Sequence, residues 1–359
     1  MEQGITGVPE RTLGLDVGDR WCHYCVVDRA GTVIDEGRVA TRSRDLSGFF
    51  AGLPATRVAL EVGPRSPWIA RLIAAAGHEV YVANARKVKL ISQSGRKSDR
   101  IDAELLARLA RVDVELLCPI DHVSAEVQAH RALLRSRDLL VRNRAQLTVH
   151  VRGTVKAMGE ALPKGITTEG FARRVEPLLP ASLRPALVPV LAQIELLTRT
   201  IKQMNREIDR LCREVYRQTA LLIQVQGVGH LTALAYVLVV DDPTRFRKSR
   251  RVGAYLGLVP GRSQSGDHDP PRRITRQGDE LLRRLLVQCA HYVLGPFGSD
   301  SDLRRFGLAI AERGGTAARR RAVIAVARKL AVLLHRLLIT AEVYEPLKKH
   351  LARPLTEAA

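Results

Sequence analysis

Aromatic side chains are scarce in this 359-residue chain: two Trp, seven Tyr and six Phe, 4% of the total. Proteins that hold single-stranded nucleic acid by stacking its bases display aromatic platforms, so that mode of binding is disfavoured. Long apolar runs are missing too. None reaches the roughly 18 residues of a membrane-spanning helix, and the N-terminus lacks the basic start and apolar core of a signal peptide. No membrane is expected as a partner. Only five Cys occur, which in a long chain without a secretory start points to reduced thiols in a cytoplasm and not to a disulfide framework. Cys22 and Cys25 form a Cys-x-x-Cys, but no second pair follows at zinc-site spacing. In a strand, positions i and i+3 face opposite sides, so both are read as core or edge residues.

Acidic charge is the other shortage. There are 37 Asp and Glu against 57 Lys and Arg, a net of +20. A surface this positive implies a polyanionic partner. The basic residues run along the whole chain and not in one tail, which favours nucleic acid. Basic and aromatic-poor, the chain resembles a reader of phosphates and duplex shape.

Against that background, acids inside apolar runs carry information. Thr12-Leu-Gly-Leu-Asp16 reads as a buried strand ending in a carboxylate, followed by a turn and a second strand from Trp21 to Val27. A third strand passes through Val33 and Ile34, so a three-strand meander is expected. Arg57-Val-Ala-Leu-Glu-Val62 is a fourth strand, with Glu61 in an apolar setting. A helix over residues 66–76 carries Pro67 in its first turn and Gly77 at its C-terminal end, and Glu79-Val-Tyr-Val82 is a fifth strand. The order predicts a mixed sheet with helices packed on it.

The next stretch, residues 95–109, passes from basic loop chemistry (Lys97, Arg100) into a helix with Ile101, Leu105, Leu106 and Leu109 one turn apart. Ser98 or Asp99 can cap this helix and Asp102 falls in its first turn. Asp99 and Asp102 project near one edge, and paired carboxylates repel unless a cation lies between them. On this stretch alone, a capped helix with a favourable dipole is the simpler reading. Asp16, Glu61, Asp99 and Asp102 together fit the logic of acids gathered at a sheet end around one or two Mg²⁺ ions in phosphodiester chemistry.

A long basic helix is expected from Ser124 to Val155 and a Gly-, Pro- and Thr-rich break from Gly159 to Pro180. Leu187, Val190, Ile194, Leu197, Ile201, Met204, Ile208, Leu211 and Val215 then alternate steps of three and four, a coiled-coil seam of about four heptads. The two helices form either an antiparallel hairpin or a pairing with a second copy; an assembly role is favoured.

Gly227-Val-Gly229 between two helices resembles a helix-hairpin-helix turn, whose backbone amides hold a DNA phosphate without reading bases. A tight turn with no ligand is the alternative. Further on, Ser263 and Ser265 lie in a loop flanked by Arg262, Arg272, Arg273 and Arg276. A serine attacking phosphate needs such cations against the charge that develops, although a DNA-binding surface loop has the same composition. Near the C-terminus a helix carries an apolar face opposite Arg319, Arg320 and Arg321, a phosphate-facing side.

Leu15-Asp-Val-Gly18, Leu60-Glu-Val-Gly63, Lys97-Ser-Asp-Arg-Ile-Asp-Ala-Glu104, Gln226-Gly-Val-Gly229, Tyr255-Leu-Gly-Leu-Val-Pro260, Ser265-Gly266 and Ile274-Thr-Arg-Gln-Gly278 stand in this order. Over roughly residues 12–340 the chain resembles the DEDD transposases of the insertion-sequence-110 family. The resemblance implies an α/β RuvC-like (RNase H) N-terminal domain over 12–120 after a disordered leader over 1–11. It implies coiled-coil helices with an irregular insert over 121–218, a mainly α C-terminal transposase domain over 219–345 and a tail over 346–359. It further implies Mg²⁺ (or Mn²⁺) at Asp16, Glu61, Asp99 and Asp102, and a serine nucleophile. Ser265, directly before Gly266, matches that motif best; Gln264 stands where many relatives have a hydroxyl residue, so Ser263 is the fallback. The implied partners are double-stranded donor and target DNA, a structured guide RNA, and further copies of the chain as a dimer or tetramer. The implied location is the bacterial cytoplasm, at the nucleoid. A metal nuclease of junction-resolvase type using water, and a non-catalytic nucleic-acid scaffold, are the competing readings.

Overall fold

A computed structural model describes residues 9–84, 99–261 and 272–347. The chain divides between Ala125 and Glu126 into two compact units.

The first unit is built on a five-stranded sheet. Strands β1 (Arg11–Val17), β2 (Trp21–Asp28) and β3 (Val33–Ala40) form the expected meander, β4 is Arg57–Glu61, and β5 is Glu79–Ala83. Their order is β3-β2-β1-β4-β5, with β4 parallel to β1 and β5 parallel to β4. Alternation along β1 decides which helices cover which face. Leu13 and Leu15 are fully buried on one face. They pack with Val58, Leu60, and residues of α1 (Ser43–Ala51) and α2 (Ser66–Ala75), among them Leu46, Phe50, Ile69 and Ile73. Burying Phe50 completely contributes about 2–3 kcal/mol. Helix α2 carries its Pro in the first turn and Gly77 follows at φ +89°, as expected. Helix α1 has no counterpart in the sequence reading; only Leu46 and Phe50, one turn apart, mark its buried stripe.

The opposite face is covered by α3 (Asp99–Val112). Of the expected stripe, Leu106 is buried and Leu105 and Leu109 pack beside it, but alanines make up most of the buried surface. Ala103, Leu106, Ala107 and Ala110 are buried, whereas Ile101 is 41% exposed. The cause is a close approach to the sheet: a Cβ on Gly14 would lie 1.9 Å from the Ala103 carbonyl oxygen and 2.5 Å from the Ala107 amide nitrogen. Only small side chains fit where helix and strand backbones meet at that distance. Cys25 and Val27 join Ala103 and Ala107 in this layer, while Cys22 belongs to the other. All five Cys are free thiols, and the two in β2 face opposite sides.

The second unit is helical. Helices α4 (Ala125–Ala157) and α6 (Arg184–Glu214) run side by side and antiparallel, since Arg137 donates to Asn205 at 2.9 Å and Arg144 to Thr198 at 3.2 Å. The irregular insert between them contains the short α5 (Phe171–Val175). Leu187, Leu191 and Ile194 of α6 pack against Val151 and Val155 of α4 and Phe171 and Val175 of α5. Further along, Ile208 and Leu211 join the largest core. Val215 is 43% exposed because the helix ends at Glu214. That core is centred on α8 (His230–Val240), reached through α7 (Thr219–Ile223), and on α10 (Glu280–Leu294) and α12 (Gly315–Thr340). Helix α8 is buried on all sides from Thr232 to Val240, and Tyr236 donates its buried hydroxyl to the Ala331 carbonyl at 2.6 Å. The short α9 (Arg251–Tyr255) and α11 (Asp302–Ala311) complete the unit. Among the described residues, no helix is long and apolar enough to cross a membrane.

Candidate active site

Gly14 and Asp16 lie two positions apart on β1 and so face the same side, toward α3. Leu60 pairs with Leu15, so Glu61 ends β4 beside Asp16. The alanine stripe of α3 sets the helix down on Gly14, which leaves its first turn, with Asp99 and Asp102, over the end of β1. Acids from three separate stretches of the chain thus share one end of the sheet.

Their electrostatics record the crowding. The Asp16 carboxyl is pushed up to about 6, first by burial and then by the negative charges of Asp99, Asp102 and Glu61; His23 pulls the other way. Asp102 Oδ1 is buried and accepts no hydrogen bond. A buried carboxylate oxygen without a partner is costly, and like charges this close hold protons against solution unless a cation neutralises them. Hard oxygen donors gathered in this way suit Mg²⁺ or Mn²⁺, so the residues present fit such an ion.

One member of the cluster went unread in the sequence. His23 on β2 stands directly opposite Asp16 in the β1–β2 register. Its Nδ1 lies 3.3 Å from Asp99 Oδ2. One ligand atom each of Asp16, His23 and Asp99 lie within 4.8 Å of one another. The signal for it was the hairpin: counting back across the turn from Asp16 pairs it with residue 23. Of the basic residues expected nearby, Arg100 forms an ion pair with Glu36. Lys97 lies outside the described residues, as does Ser98, the alternative cap of α3.

In the second unit, Ser263, Ser265 and Arg262 also lie outside the described residues, but the base that carries their loop is defined. Gly261 donates its amide to the Arg273 carbonyl at 3.0 Å, and Thr275 donates to the Val259 carbonyl at 2.9 Å, an antiparallel stub around the Pro260–Ile274 bridge. Two glycines lock it in place. At Gly257 (φ +67°) a Cβ would meet the Gln277 backbone at 2.3 Å, and at Gly278 (φ +77°) the Tyr255 carbonyl oxygen at 2.1 Å. This explains physically why the Tyr255–Pro260 and Ile274–Gly278 segments belong together: each supplies the glycine the other needs. Arg272, Arg273 and Arg276 are exposed beside the stub, Arg276 with a left-handed φ of +55°.

Gly227 sits at φ +89° in the turn between α7 and α8, with the Tyr292 ring 2.9 Å from where its Cβ would be. Gly229 occupies the N-cap of α8 with open space around it. Arg319, Arg320 and Arg321 are exposed on the first turns of α12.

The first unit is a mixed five-stranded sheet with acids at one end and the second a mostly helical body, an arrangement compatible with a RuvC-like α/β domain followed by a helical one. A family model for DEDD transposases of the IS110 type matches residues 13–159, and one for transposases of the IS116/IS110/IS902 family matches residues 219–301. The chain is 30% identical to the transposase for insertion sequence element IS1111A of Coxiella burnetii, over 93% of this chain and 91% of that protein. It is 30% identical to the transposase for insertion sequence element IS1328 of Yersinia enterocolitica, over 79% of this chain and 84% of the relative. A pilin gene-inverting protein of Moraxella lacunata is 27% identical over 36% of this chain and 41% of its own length. The chain belongs to the IS110 family of DEDD transposases, a family of DNA-recombining enzymes.

Proposed function

We propose that this transposase cuts and rejoins DNA with Ser265 as nucleophile and with Asp16, Glu61, Asp99 and Asp102 as the ligands of a divalent cation. The observation that carries the reading is the convergence of the four acids on Asp16, whose carboxyl is pushed up to about 6 by burial and by the other three. Bound there, Mg²⁺ or Mn²⁺ supplies positive charge against the oxygens of a phosphodiester. In the strand-transfer step Ser265 Oγ gives up its proton and forms a bond to phosphorus. The bond from phosphorus to one sugar oxygen breaks, and that oxygen leaves as a hydroxyl after taking a proton. Attack by a sugar hydroxyl of a second DNA end on the phosphoserine reverses the bond changes and rejoins the strand. Arg272, Arg273 and Arg276, with Arg262, stabilise the charge on the phosphate. Ser263 is the fallback nucleophile.

The division of labour is a RuvC-like domain over 12–120, coiled-coil helices over 121–218, and a C-terminal transposase domain over 219–345. Donor and target duplexes are held by Lys97, Arg100, the amides around Gly227 and Gly229, and Arg319, Arg320 and Arg321. Target choice comes from base pairing with a structured RNA, a reading supported by the low aromatic content of the chain. A dimer or tetramer acting at the bacterial nucleoid completes the proposal.

The test is a denaturing gel of the protein with cognate DNA, the RNA from the element's flanks and Mg²⁺. A DNA–protein adduct that disappears in Ser265→Ala is the expected result. Cleavage without an adduct, unchanged in Ser265→Ala, overturns the serine mechanism in favour of a metal nuclease using water.

A further inference from the structure

We propose that the His23 imidazole is a ligand of the cation site, so that Nδ1 shares the ion with Asp16 and Asp99 and tilts the centre from Mg²⁺ toward Mn²⁺. The inference rests on the reading of the acid cluster as a cation site and adds to it a fifth residue and a metal preference.

Three observations converge. The β1–β2 register sets His23 opposite Asp16, on the face that Cys25, two positions along, shares with Ala103 and Ala107 of α3. One ring nitrogen of His23 and one carboxylate oxygen each of Asp16 and Asp99 lie within 4.8 Å of one another. Although Nδ1 comes within 3.3 Å of Asp99 Oδ2, it is a buried nitrogen without a hydrogen-bond partner. Another imidazole of this unit behaves differently: His78, a buried residue, accepts from the Thr56 amide through Nδ1 at 3.3 Å and donates through Nε2 to the Phe50 carbonyl at 2.9 Å. His78 is satisfied by the fold. His23 Nδ1 faces two carboxylates with its bonding capacity unspent, as does Asp102 Oδ1. A cation among Asp16, His23 and Asp99 would satisfy the imidazole nitrogen.

The metal preference follows from ligand type. Carboxylate oxygens serve Mg²⁺ and Mn²⁺ alike, whereas imidazole nitrogen binds the transition-series ion more readily than the harder Mg²⁺.

The test uses the full chain loaded with Mn²⁺ alone or with Mg²⁺ alone. Pulsed electron paramagnetic resonance of the Mn²⁺ protein should show a directly bound nitrogen, and ¹⁵N-histidine labelling should change that coupling; this arm needs no variant. His23→Gln should lose the nitrogen coupling in resonance and, by calorimetry, weaken Mn²⁺ binding by about tenfold or more, the scale seen when a residue supporting a metal is removed, with a clearly smaller change for Mg²⁺. Thermal unfolding in chelator checks that the variant is folded. Mn²⁺ that binds wild type, is lost in Asp16→Asn, and shows no histidine nitrogen overturns the role of His23 while leaving the cation site intact. Absence of Mn²⁺ and Mg²⁺ binding in wild type overturns both.

Discussion

The two regions proposed to carry the chemistry are held in opposite ways. The acids of the first unit sit on regular elements: Asp16 and Glu61 at strand ends, Asp99 and Asp102 in the first turn of α3. The β1–β4 register sets Asp16 beside Glu61, and the seating of α3 on Gly14 brings Asp99 and Asp102 to them. The segments that flank Ser263 and Ser265 in the second unit form instead a two-strand stub clamped by Gly257 and Gly278. A site for a small cation needs donors fixed to fractions of an ångström, and strands and helices supply that. The proposed nucleophile belongs to a stretch whose two flanking segments are fixed to each other by backbone hydrogen bonds.

The largest expected effect in breaking this contrast is Gly14→Val. Its side chain would run into the α3 backbone, so the helix must lift from the sheet. Overpacking at a backbone contact costs about 1–3 kcal/mol or more. Differential scanning calorimetry should show the first unit melting well below its wild-type temperature, and calorimetric titration should show cation binding lost. Unchanged melting would mean that α3 is not seated on β1 as described. Gly278→Ala comes next. With φ at +77° and a carbonyl oxygen 2.1 Å away, it costs about 1–3 kcal/mol of backbone strain. It should lower strand cleavage while leaving cation binding alone, separating the two regions.

A pH effect is smaller and has a defined sign. The Asp16 carboxyl lies at about 6 in the folded chain against an ordinary 3.8, so folding favours its protonated form. That contribution is complete below pH 3.8 and is lost as the pH rises through about 6. Without divalent cation, wild type should therefore lose stability relative to Asp16→Asn across that window, read as the difference between their melting temperatures. Adding Mg²⁺ above pH 6 should restore it. A constant difference across the window would contradict the burial of Asp16 among like charges. The smallest effect concerns the exposed arginines. Each of Arg319→Ala, Arg320→Ala and Arg321→Ala should weaken duplex binding at every sequence alike and reduce the salt slope by about one, measured by fluorescence anisotropy over a salt series.

Much of the first unit was legible in its residues. Short apolar runs broken by turns marked all five strands, and the acids in two of those runs do meet at one end of the sheet, as a carboxylate in such a run needs a reason to be there. The packing of α3 was not legible. Leucines at helical spacing marked Leu105, Leu106 and Leu109, which do pack against the sheet, but not the alanine stripe beside them, which follows from how close Gly14 lets two backbones come. Helix α1 offered too short a pattern to stand out. His23 needed strand register, which only pairing supplies. In the second unit, the step pattern of α6 located the helix and most of its buried face, but pattern alone left open whether α4 or another copy covers it. The structure pairs it with α4 of the same chain.

The central claim is that the acids at the end of the sheet make a cation-dependent strand-cleavage site. The most direct measurement compares cleavage of cognate DNA by wild type and by Asp102→Asn over a Mg²⁺ and Mn²⁺ titration. Loss of roughly 10³-fold or more in cleavage rate, the scale for removing one member of a group that acts as a unit, is the predicted result. Cleavage by Asp102→Asn at the wild-type rate, with the wild-type metal dependence, would contradict it.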